Sequence, residues 1–289
     1  MSKLLEGKVA LVTGASRGIG RALAQRLAAE GAVVVVTARS LDTAGKFEGT
    51  LKETVQLIEL NGGVAHPLAA DLEKAEDLDN LVSRVVEVAG GLDILIHSGG
   101  KAEYCPTVDM PHDMFELTYS HYLRAPFRLM QKAVPEMRKR GAGWIVTLGS
   151  VTALPPLRPY DEWAIQGGNS VYSAIKAGVH RMNQGLAAEL LPFNIAVNTL
   201  APSTAIRTPG AFDHIPEEYP SERVEYIVET GLALCHRPAA ERTGLTAYSL
   251  HFPLAHGLPV YTLDGKERIE DPVIPPYAHP AIVSSGEGS

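Results

Sequence analysis

The 289-residue sequence has no block of basic residues, and its net charge is −7. Proteins that bind the nucleic-acid backbone need clustered Lys and Arg side chains, so we predict no nucleic-acid partner. No apolar run reaches the ~18 residues of a membrane span, and the N-terminal segment MSKLLEGK lacks the apolar core of a signal peptide. We therefore expect a cytoplasmic protein without membrane contact.

Cysteine is also scarce. The two cysteines, Cys105 and Cys235, form neither a C-x-x-C pair nor a zinc-binding pattern. This spacing predicts reduced thiols and no metal site. The remaining composition, 45% hydrophobic and 20% charged, is ordinary for a globular chain of one large α/β domain or two small ones.

Short apolar runs alternate with segments of helical spacing as far as residue 200. The predicted strands are 8–13, 33–37, 64–68, 93–96, 144–148 and 195–199. The helices between them include a long one at about 114–137 and another at 170–191. Apolar strands with intervening helices predict an α/β fold, in which a doubly wound parallel sheet of about seven strands carries helices on both faces. Ligands of such a sheet bind at the carboxyl ends of its strands.

Past residue 200 the alternation weakens. The stretch 202–226 is rich in proline and acid, and it predicts a mobile loop before a helix at about 221–234. Residues 245–250 and 259–263 are both candidate strands, and the proline-rich end predicts an extended arm on this or a neighbouring subunit. We interpret 1–289 as one domain, with 203–235 as a substrate-side loop and helix and 266–289 as a C-terminal tail.

The stretch TGASRGIG, residues 13–20, follows the first predicted strand and opens the first predicted helix. A strand, a glycine-rich turn and a helix together form a cradle for the pyrophosphate of a dinucleotide. Gly14 permits the sharp turn, Gly18 permits the close approach of the ligand, and Gly20 permits tight packing of the helix on the strand. The turn alone is a weak signal, because similar glycine turns occur for structural reasons.

Several separated motifs, taken with this turn, resemble the short-chain dehydrogenase/reductase family in its short single-domain branch, over roughly residues 7–208. YSAIK at 172–176 matches the family's Tyr-x-x-x-Lys, and Ser150 follows the fifth predicted strand, where the family keeps a serine. Asp71 matches the acid that contacts the adenine, and VNTLAP at 197–202 matches the stretch beside the nicotinamide. The resemblance implies a Rossmann-type fold with Ser150, Tyr172 and Lys176 as catalytic residues.

The resemblance also implies a set of cofactor contacts, spread over the glycine turn, the ends of several strands and the catalytic helix. The implied contacts are Gly14, Ser16, Arg17, Gly18, Ile19, Gly20, Arg39, Ser40, Asp71, Leu72, Ser98, Gly99, Gly100, Tyr172, Lys176, Pro202, Ser203 and Thr208.

The catalytic motif fits proton transfer to an alkoxide. Tyr172 and Lys176 are four residues apart and therefore share one helix face. A tyrosine pKa of ~10 is high for acid–base work at neutral pH, and lowering it by about 3 units needs ~4 kcal/mol. A positive charge ~4 Å away supplies roughly that amount at an effective dielectric near 20, so we expect Lys176 to lower the pKa of Tyr172. Ser150 can hold the substrate oxygen, and the resemblance implies that Lys176 also binds the nicotinamide ribose.

The residue that ends the second strand selects the dinucleotide in this family. A carboxylate there binds the ribose of NAD and repels a 2′-phosphate, but this sequence has Ala38 followed by Arg39. Arg17 lies within the glycine turn, on the adenosine side in this family. Two arginines and no acid predict NADP(H) in preference to NAD(H). The alternative is that Arg39 is only a solvated surface residue.

The sequence departs from the family in two places close to the expected site. His97-Ser98-Gly99-Gly100 stands where the family has Asn-Asn-Ala-Gly, and we interpret His97 as a packed residue and not a catalyst. Tyr122 stands where the family has an asparagine that anchors a proton-relay water. Tyr122 is therefore a candidate catalytic residue that holds a water in another way, or it only fills space.

Two further departures concern the substrate side. The segment between Ser150 and Tyr172 is longer than usual for the family, and its Leu157, Tyr160 and Trp163 either line an apolar substrate wall or pack at a subunit contact. After the sixth strand, Ser203 replaces the family's glycine and Thr208 lies one place late. We therefore expect a reshaped loop beside the nicotinamide.

Taken together, these features predict an NADP(H)-dependent oxidoreductase that interconverts a carbonyl and an alcohol, with Tyr172 as acid and base. The insertion points to a hydrophobic small-molecule substrate, and the resemblance implies a homodimer or homotetramer. Two alternatives stay open: epimerase- or dehydratase-like chemistry on the same scaffold, and an NADP(H)-binding sensor or partner protein with impaired catalysis.

Overall fold

The computed structural model describes residues 3–42, 48–101, 103–209, 215 and 219–283. Within these residues seven strands form one parallel sheet with the order β3-β2-β1-β4-β5-β6-β7. The strands are β1 (Val9–Thr13), β2 (Val33–Ala38), β3 (Val64–Ala69), β4 (Ile94–His97), β5 (Gly143–Leu148), β6 (Ile195–Ala201) and β7 (Thr246–Tyr248). The predicted doubly wound α/β fold is confirmed.

Helices connect these strands and cover both faces of the sheet. They are α1 (Gly18–Ala29), α2 (Leu51–Leu60), α3 (Ala75–Ala89), α4 (His112–Tyr119), α5 (Ala125–Arg140), α6 (Glu162–Gln166), α7 (Ser170–Leu190), α8 (Val224–Ala233) and α9 (His251–Ala255). Among the described residues, none of these helices is both long enough and apolar enough to cross a membrane.

Alternate residues of the central strands feed two separate cores, which explains why the strands are apolar throughout. Val12 and Val34 lie in the core beneath α1, α2 and α8, whereas Leu11, Val35 and Ile145 lie in the core beneath α3, α5 and α7. All five side chains are fully buried. Strand β3 contains a proline and stays at the edge of the sheet, where a missing backbone N–H costs least.

Two predicted elements differ from the structure. Residues 259–263 do not join the sheet; Tyr261 instead forms an isolated antiparallel bridge with Arg268. The expected long helix at 114–137 is divided by a π-helical turn, Ser120–Arg124, between α4 and α5. A π turn inserts an extra residue, and such turns are frequent at functional sites.

The C-terminal segment packs back on its own subunit. Ile282 is buried in a small cluster with Leu154, Ala201 and Tyr248, and the His279 ring bonds the carbonyl oxygen of Pro155 at 2.9 Å. The described part of the predicted tail therefore rests on the segment that follows β5. Residues 284–289, and the part of the substrate-side loop at 210–214 and 216–218, lie outside the described residues.

Candidate active site

The glycine turn follows β1 and adopts the geometry that a phosphate cradle requires. Gly14 and Gly18 have φ values of +65° and +56°, a region that side chains disfavour. A Cβ atom on Gly20 would lie 2.4 Å from the carbonyl oxygen of Gly14, so only glycine lets α1 sit this close to the strand. Arg17 precedes α1 and its side chain does not cap the helix. The N–H groups at this helix start, with the helix dipole, fit a pyrophosphate.

Three arginines, one of them within this turn, lie on the side expected for the adenosine. Burial and the nearby charges of Arg21 and Arg39 lower the pKa of Arg17, whereas the charge of Glu53 raises it. Arg39 is exposed and follows Ala38, the last residue of β2. A cleft of about 440 Å³ opens here, and its lining includes Arg17 and Arg21 together with Glu48 and Glu53. The Glu53 carboxylate contacts Arg21 at 2.9 Å and offsets part of the repulsion among these arginines, and a bound anion would offset more of it.

The other implied cofactor residues line the same edge of the sheet. The hydroxyl of Thr13 accepts hydrogen bonds from the backbone N–H groups of Ser98 at 3.2 Å and Gly99 at 3.1 Å. A Cβ atom on Gly99 would lie 2.7 Å from the Leu72 side chain, so these two residues share one surface. Next to them, the Asp71 carboxylate accepts a bond from the backbone of Glu73 at 3.1 Å. Ser16, Ile19 and Ser40 lie where the sequence places them, in the glycine turn, the first turn of α1 and the segment after β2.

The structure brings Ser150, Tyr172 and Lys176 together at the carboxyl end of β5. Ser150 is buried directly after this strand; its hydroxyl hydrogen-bonds the Thr152 hydroxyl at 2.8 Å, and its side chain is close enough to Tyr172 to influence the pKa of that phenol. Tyr172 and Lys176 lie one turn apart on α7. The Lys176 ammonium donates to the carbonyl oxygen of Leu148 at 2.6 Å.

Burial is the largest influence on the pKa values of Tyr172 and Lys176. It raises the pKa of Tyr172 above the ordinary value of 10.0, and the Ser150 side chain acts in the opposite direction. Burial also lowers the pKa of Lys176 from 10.5 to about 7. The expected lowering of the Tyr172 pKa by Lys176 is therefore wrong for this structure. The cost of removing a phenolate from water exceeds what a partly neutral, buried lysine can supply.

Tyr122 lies on the π turn, with its ring directly against the lysine. The Lys176 nitrogen is 4.0 Å from the centroid of the Tyr122 ring and 5.6 Å from that of Tyr172. The Tyr122 ring also meets Tyr172 edge to face, with centroids 5.4 Å apart. The sequence left open whether Tyr122 holds a water or only fills space, and the structure adds a third feature, the contact of its ring with Lys176.

An aromatic wall covers the other side of Tyr172. The Tyr104 ring packs edge to face against Tyr172 at 5.3 Å and against Trp163 at 6.0 Å. The backbone N–H of Cys105 donates to the carbonyl oxygen of Gly168 at 2.9 Å, which joins the loop after β4 to the inserted segment. Leu157, Tyr160 and Trp163 are all about half exposed, and Trp163 is linked to Tyr172 through the ring of Tyr104.

The segment after β6 is held by buried polar contacts. The Ser203 hydroxyl bonds the His251 ring at 2.9 Å, and the Ser203 N–H donates to the Ser249 hydroxyl at 2.8 Å. The side chain of Ser203 thus fixes the loop, beside Pro202, and is almost fully buried. Further along, the Thr208 side chain lies 3.2 Å from the point where a Cβ on Gly18 would sit. The reshaped loop reaches back to the glycine turn.

Sequence reasoning missed two residues of this site. His180 lies one turn after Lys176, and its Nε2 atom accepts the backbone N–H of Ser150 at 3.3 Å. Burial and the charge of Lys176 lower the pKa of His180 to about 4, so it is a neutral acceptor. Its four-residue spacing from Lys176 was the available signal. Tyr104 gave no signal, because its contact with Tyr172 depends on a loop path. His97, expected to be packed, is buried as predicted.

Metal ligands are a separate question. Over the described ranges, no group of three or more His, Cys, Asp or Glu side chains is arranged to hold a metal ion. The described site is instead built from hydroxyl, amine, guanidinium and backbone groups.

Comparison with known proteins agrees with this geometry. A family profile described as short chain dehydrogenase matches residues 8–213. Dehydrogenase/reductase SDR family member 4 from Homo sapiens is 35% identical over 199 residues, which cover 68% of this chain. The matched residues span 66% of the length of that relative, slightly under two thirds.

Two solved structures show the same fold. L-Sorbose reductase from Gluconobacter frateurii, complexed with NADPH and L-sorbose, is 28% identical with a TM-score of 0.71, covering 86% of this chain and 97% of that one. A 7α-hydroxysteroid dehydrogenase, complexed with NADH and 7-oxo glycochenodeoxycholic acid, is 28% identical with a TM-score of 0.74, covering 86% and 94%.

Proposed function

Because the chain belongs to the short-chain dehydrogenase/reductase family, we propose that it is an NADP(H)-dependent oxidoreductase that interconverts a carbonyl and an alcohol. The observation that carries this proposal is the convergence of Ser150, Tyr172 and Lys176 at the strand edge that also holds the glycine turn. Ligands of a doubly wound sheet bind at this edge.

In the reductive direction each residue has a distinct task. A bound nicotinamide would supply the hydride. Ser150 would hold the substrate oxygen, and Tyr172 would protonate it as the alkoxide forms. The raised pKa of Tyr172 keeps the phenol protonated at neutral pH, which is the form that reduction needs. Lys176, with a pKa of about 7, can return a proton to Tyr172 after transfer.

The preference for NADP(H) rests on the residues after β2. Ala38 offers no carboxylate to repel a 2′-phosphate, and the charge of Arg39 is near enough to Arg17 to lower its pKa. The sorbose reductase holds NADPH and the hydroxysteroid dehydrogenase holds NADH, so the fold itself accommodates either dinucleotide. The choice is therefore assigned to the local charge in this chain.

The substrate class follows from the aromatic wall. Tyr104 and Trp163 extend from the ring of Tyr172 toward solvent, and the Trp163 side chain is 46% exposed. Such a surface favours a hydrophobic ketone or secondary alcohol over a polar one, because a bound hydrophobic substrate and the aromatic rings remove each other's apolar surface from water.

Assembly and location remain part of the proposal. Phe127 on α5 is 47% exposed, which supports burial of this helix in a homodimer or homotetramer, and a cytoplasmic location is expected. Size-exclusion chromatography with multi-angle light scattering tests the assembly; a monomer at micromolar concentration would contradict it.

The enzymatic proposal is tested with purified protein, NADPH and a panel of ketones, by the absorbance at 340 nm. Turnover of hydrophobic ketones, with NADH as the weaker cofactor, is expected. Turnover without net consumption of cofactor would favour epimerase- or dehydratase-like chemistry. Binding of NADPH without turnover of any carbonyl would favour a sensor or partner protein.

A further inference from the structure

The ammonium group of Lys176 has two close contacts that hold it in place. One is the carbonyl oxygen of Leu148 at 2.6 Å, and the other is the Tyr122 ring, whose centroid lies 4.0 Å away. The lysine is 2% exposed, so water competes little for it. A cation over an aromatic face is attracted by the ring quadrupole, and this attraction is strongest at desolvated sites.

The position of the Tyr122 ring is tightly determined. A Cβ atom on Gly100 would lie 2.4 Å from Cε1 of Tyr122, so the ring packs on the bare backbone of this glycine. On another side it meets Tyr172 at an interplanar angle of 86°. The ring is therefore wedged between Gly100 and Tyr172, with Lys176 over its face.

The π turn that carries Tyr122 is anchored by His97. The Nε2 atom of His97 lies 3.1 Å from the backbone carbonyl oxygen of His121. A carbonyl oxygen only accepts, so Nε2 carries the hydrogen and Nδ1 is left as an acceptor. Nδ1 lies 3.1 Å from the Thr13 hydroxyl, whose oxygen already accepts two backbone N–H groups and whose proton is free to be donated to it.

These bonds define one neutral tautomer of His97, which links the end of β1 to the π turn. Burial lowers the pKa of His97 to about 4, so this tautomer persists at neutral pH. His97 and Thr13 are aligned on neighbouring strands β4 and β1, which keeps the connection short.

We propose that Tyr122 is a positioning residue that holds the Lys176 ammonium with the face of its ring, and that His97 is a second positioning residue that acts through Tyr122 by anchoring the π turn. The significance of both residues for catalysis rests on the proposed function. The contacts of Lys176, Tyr122 and His97 are formed within the protein and do not depend on a cofactor or substrate. The two residues at which this chain departs from the family pattern, His97 and Tyr122, thus act together to position Lys176.

Other titratable groups also face Lys176. Tyr172 and His180 do so from its own helix, His97 from β4 and Tyr122 from the π turn. The two histidines are neutral at pH 7 because burial lowers their pKa values to about 4, and burial raises those of both tyrosines. Charge changes at these four groups therefore do not obscure a titration of Lys176 near neutral pH.

The direct test is an NMR titration of the free protein labelled with ¹³C at lysine Cε, with the Lys176 signal assigned from its loss in Lys176→Met. Tyr122→Leu removes the ring, and we expect the titration midpoint of Lys176 to fall by about one pH unit. Tyr122→Phe retains the ring and should keep the midpoint close to that of the wild type. A midpoint in Tyr122→Leu that is unchanged or raised would overturn the role of the ring.

The role of His97 is tested by a double-mutant cycle with the same readout. His97→Leu should lower the Lys176 midpoint, His97→Gln should recover much of it by restoring an N–H donor, and His97→Leu should add little in the Tyr122→Leu background. Full additivity, or no shift in either single variant, would show that His97 does not act through Tyr122. If His97→Leu fails to fold, the titration midpoint of Lys176 in His97→Gln is compared with that of the wild type. A fall of this midpoint larger than the fall in Tyr122→Leu would contradict the proposal.

This titration needs no turnover, so it separates the inference from the proposed function. A wild type without carbonyl reduction but with the expected NMR shifts would refute the function and leave the positioning intact. In an active enzyme, the Tyr122→Leu variant should have a kcat about tenfold below that of the wild type. The Tyr122→Phe variant, which keeps the ring, should have a kcat close to that of the wild type. A normal kcat in Tyr122→Leu would contradict the positioning role alone.

Discussion

Replacement of Lys176 by methionine should make the pH dependence of folding stability visible. The substitution keeps the length of the side chain and removes its charge. Lys176 is 2% exposed, and burial lowers its pKa from 10.5 in the unfolded chain to about 7 in the folded protein. Between these two pH values the unfolded chain binds more protons than the folded protein, so the stability of the wild type rises with pH in this range.

The magnitude follows from the two pKa values. Linkage gives a rise of about 2 kcal/mol between pH 7 and pH 9 from this residue, at 1.36 kcal/mol per pKa unit. Lys176→Met lacks this contribution. Its loss of the hydrogen bond to Leu148 costs on the order of 1 kcal/mol, and any change in that bond as Lys176 titrates is already contained in the linkage. The free energy of unfolding of the variant minus that of the wild type should therefore fall by about 2 kcal/mol over this range.

The assay is urea denaturation followed by circular dichroism at pH 7, 8 and 9 for both proteins. Other groups titrate in both proteins and cancel in the difference. His97 and His180 stay neutral in the folded protein throughout, because their pKa values are about 4. A difference that is constant from pH 7 to 9 would refute the claim that burial places the titration of Lys176 near neutral pH.

Three further predictions concern the cofactor, the fold and the substrate. Ala38→Asp combined with Arg39→Ala should shift the ratio of kcat/KM for NADPH and NADH about a hundredfold toward NADH, since a charged hydrogen bond is lost and repulsion is gained; an unchanged ratio would remove Arg39 from the 2′-phosphate site. Arg26→Ala leaves the buried Glu229 without the partner that it contacts at 2.6 Å, and should lower the free energy of unfolding in urea by about 3–5 kcal/mol. A loss below about 1 kcal/mol would show that the Arg26–Glu229 ion pair is not required for the stability of the fold. Trp163→Ala should raise KM for a hydrophobic ketone about tenfold and leave that for a small ketone unchanged, whereas equal effects on both would argue against a substrate wall.

The sheet could be predicted from sequence because its strands are buried on both faces and are therefore apolar without interruption. Residues 259–263 carry a similar apolar pattern, but Tyr261 pairs with Arg268 outside the sheet. An apolar run specifies burial, and it does not specify a neighbouring strand with which to pair.

The site was predictable only where it depends on local spacing. Tyr172 and Lys176 share a helix face, and Ser150 follows the adjoining strand β5, so the positions of these three residues in the sequence are enough to predict that they lie together. The bond between His97 and the His121 carbonyl joins two separate elements, and no local pattern in the sequence encodes it or the π turn. The same holds for the sign of the Tyr172 pKa shift, which is decided by burial and not by the nearby lysine.

The most direct test of the catalytic account is the kcat of Tyr172→Phe, measured at 340 nm with NADPH and the best ketone, alongside the Kd for NADPH. The ring and its contacts with Tyr104 and Tyr122 remain in this variant, and only the proton donor is lost. We predict a fall in kcat of about 10²–10⁴-fold with the Kd for NADPH nearly unchanged. A kcat close to that of the wild type would contradict the assignment of Tyr172 as the acid.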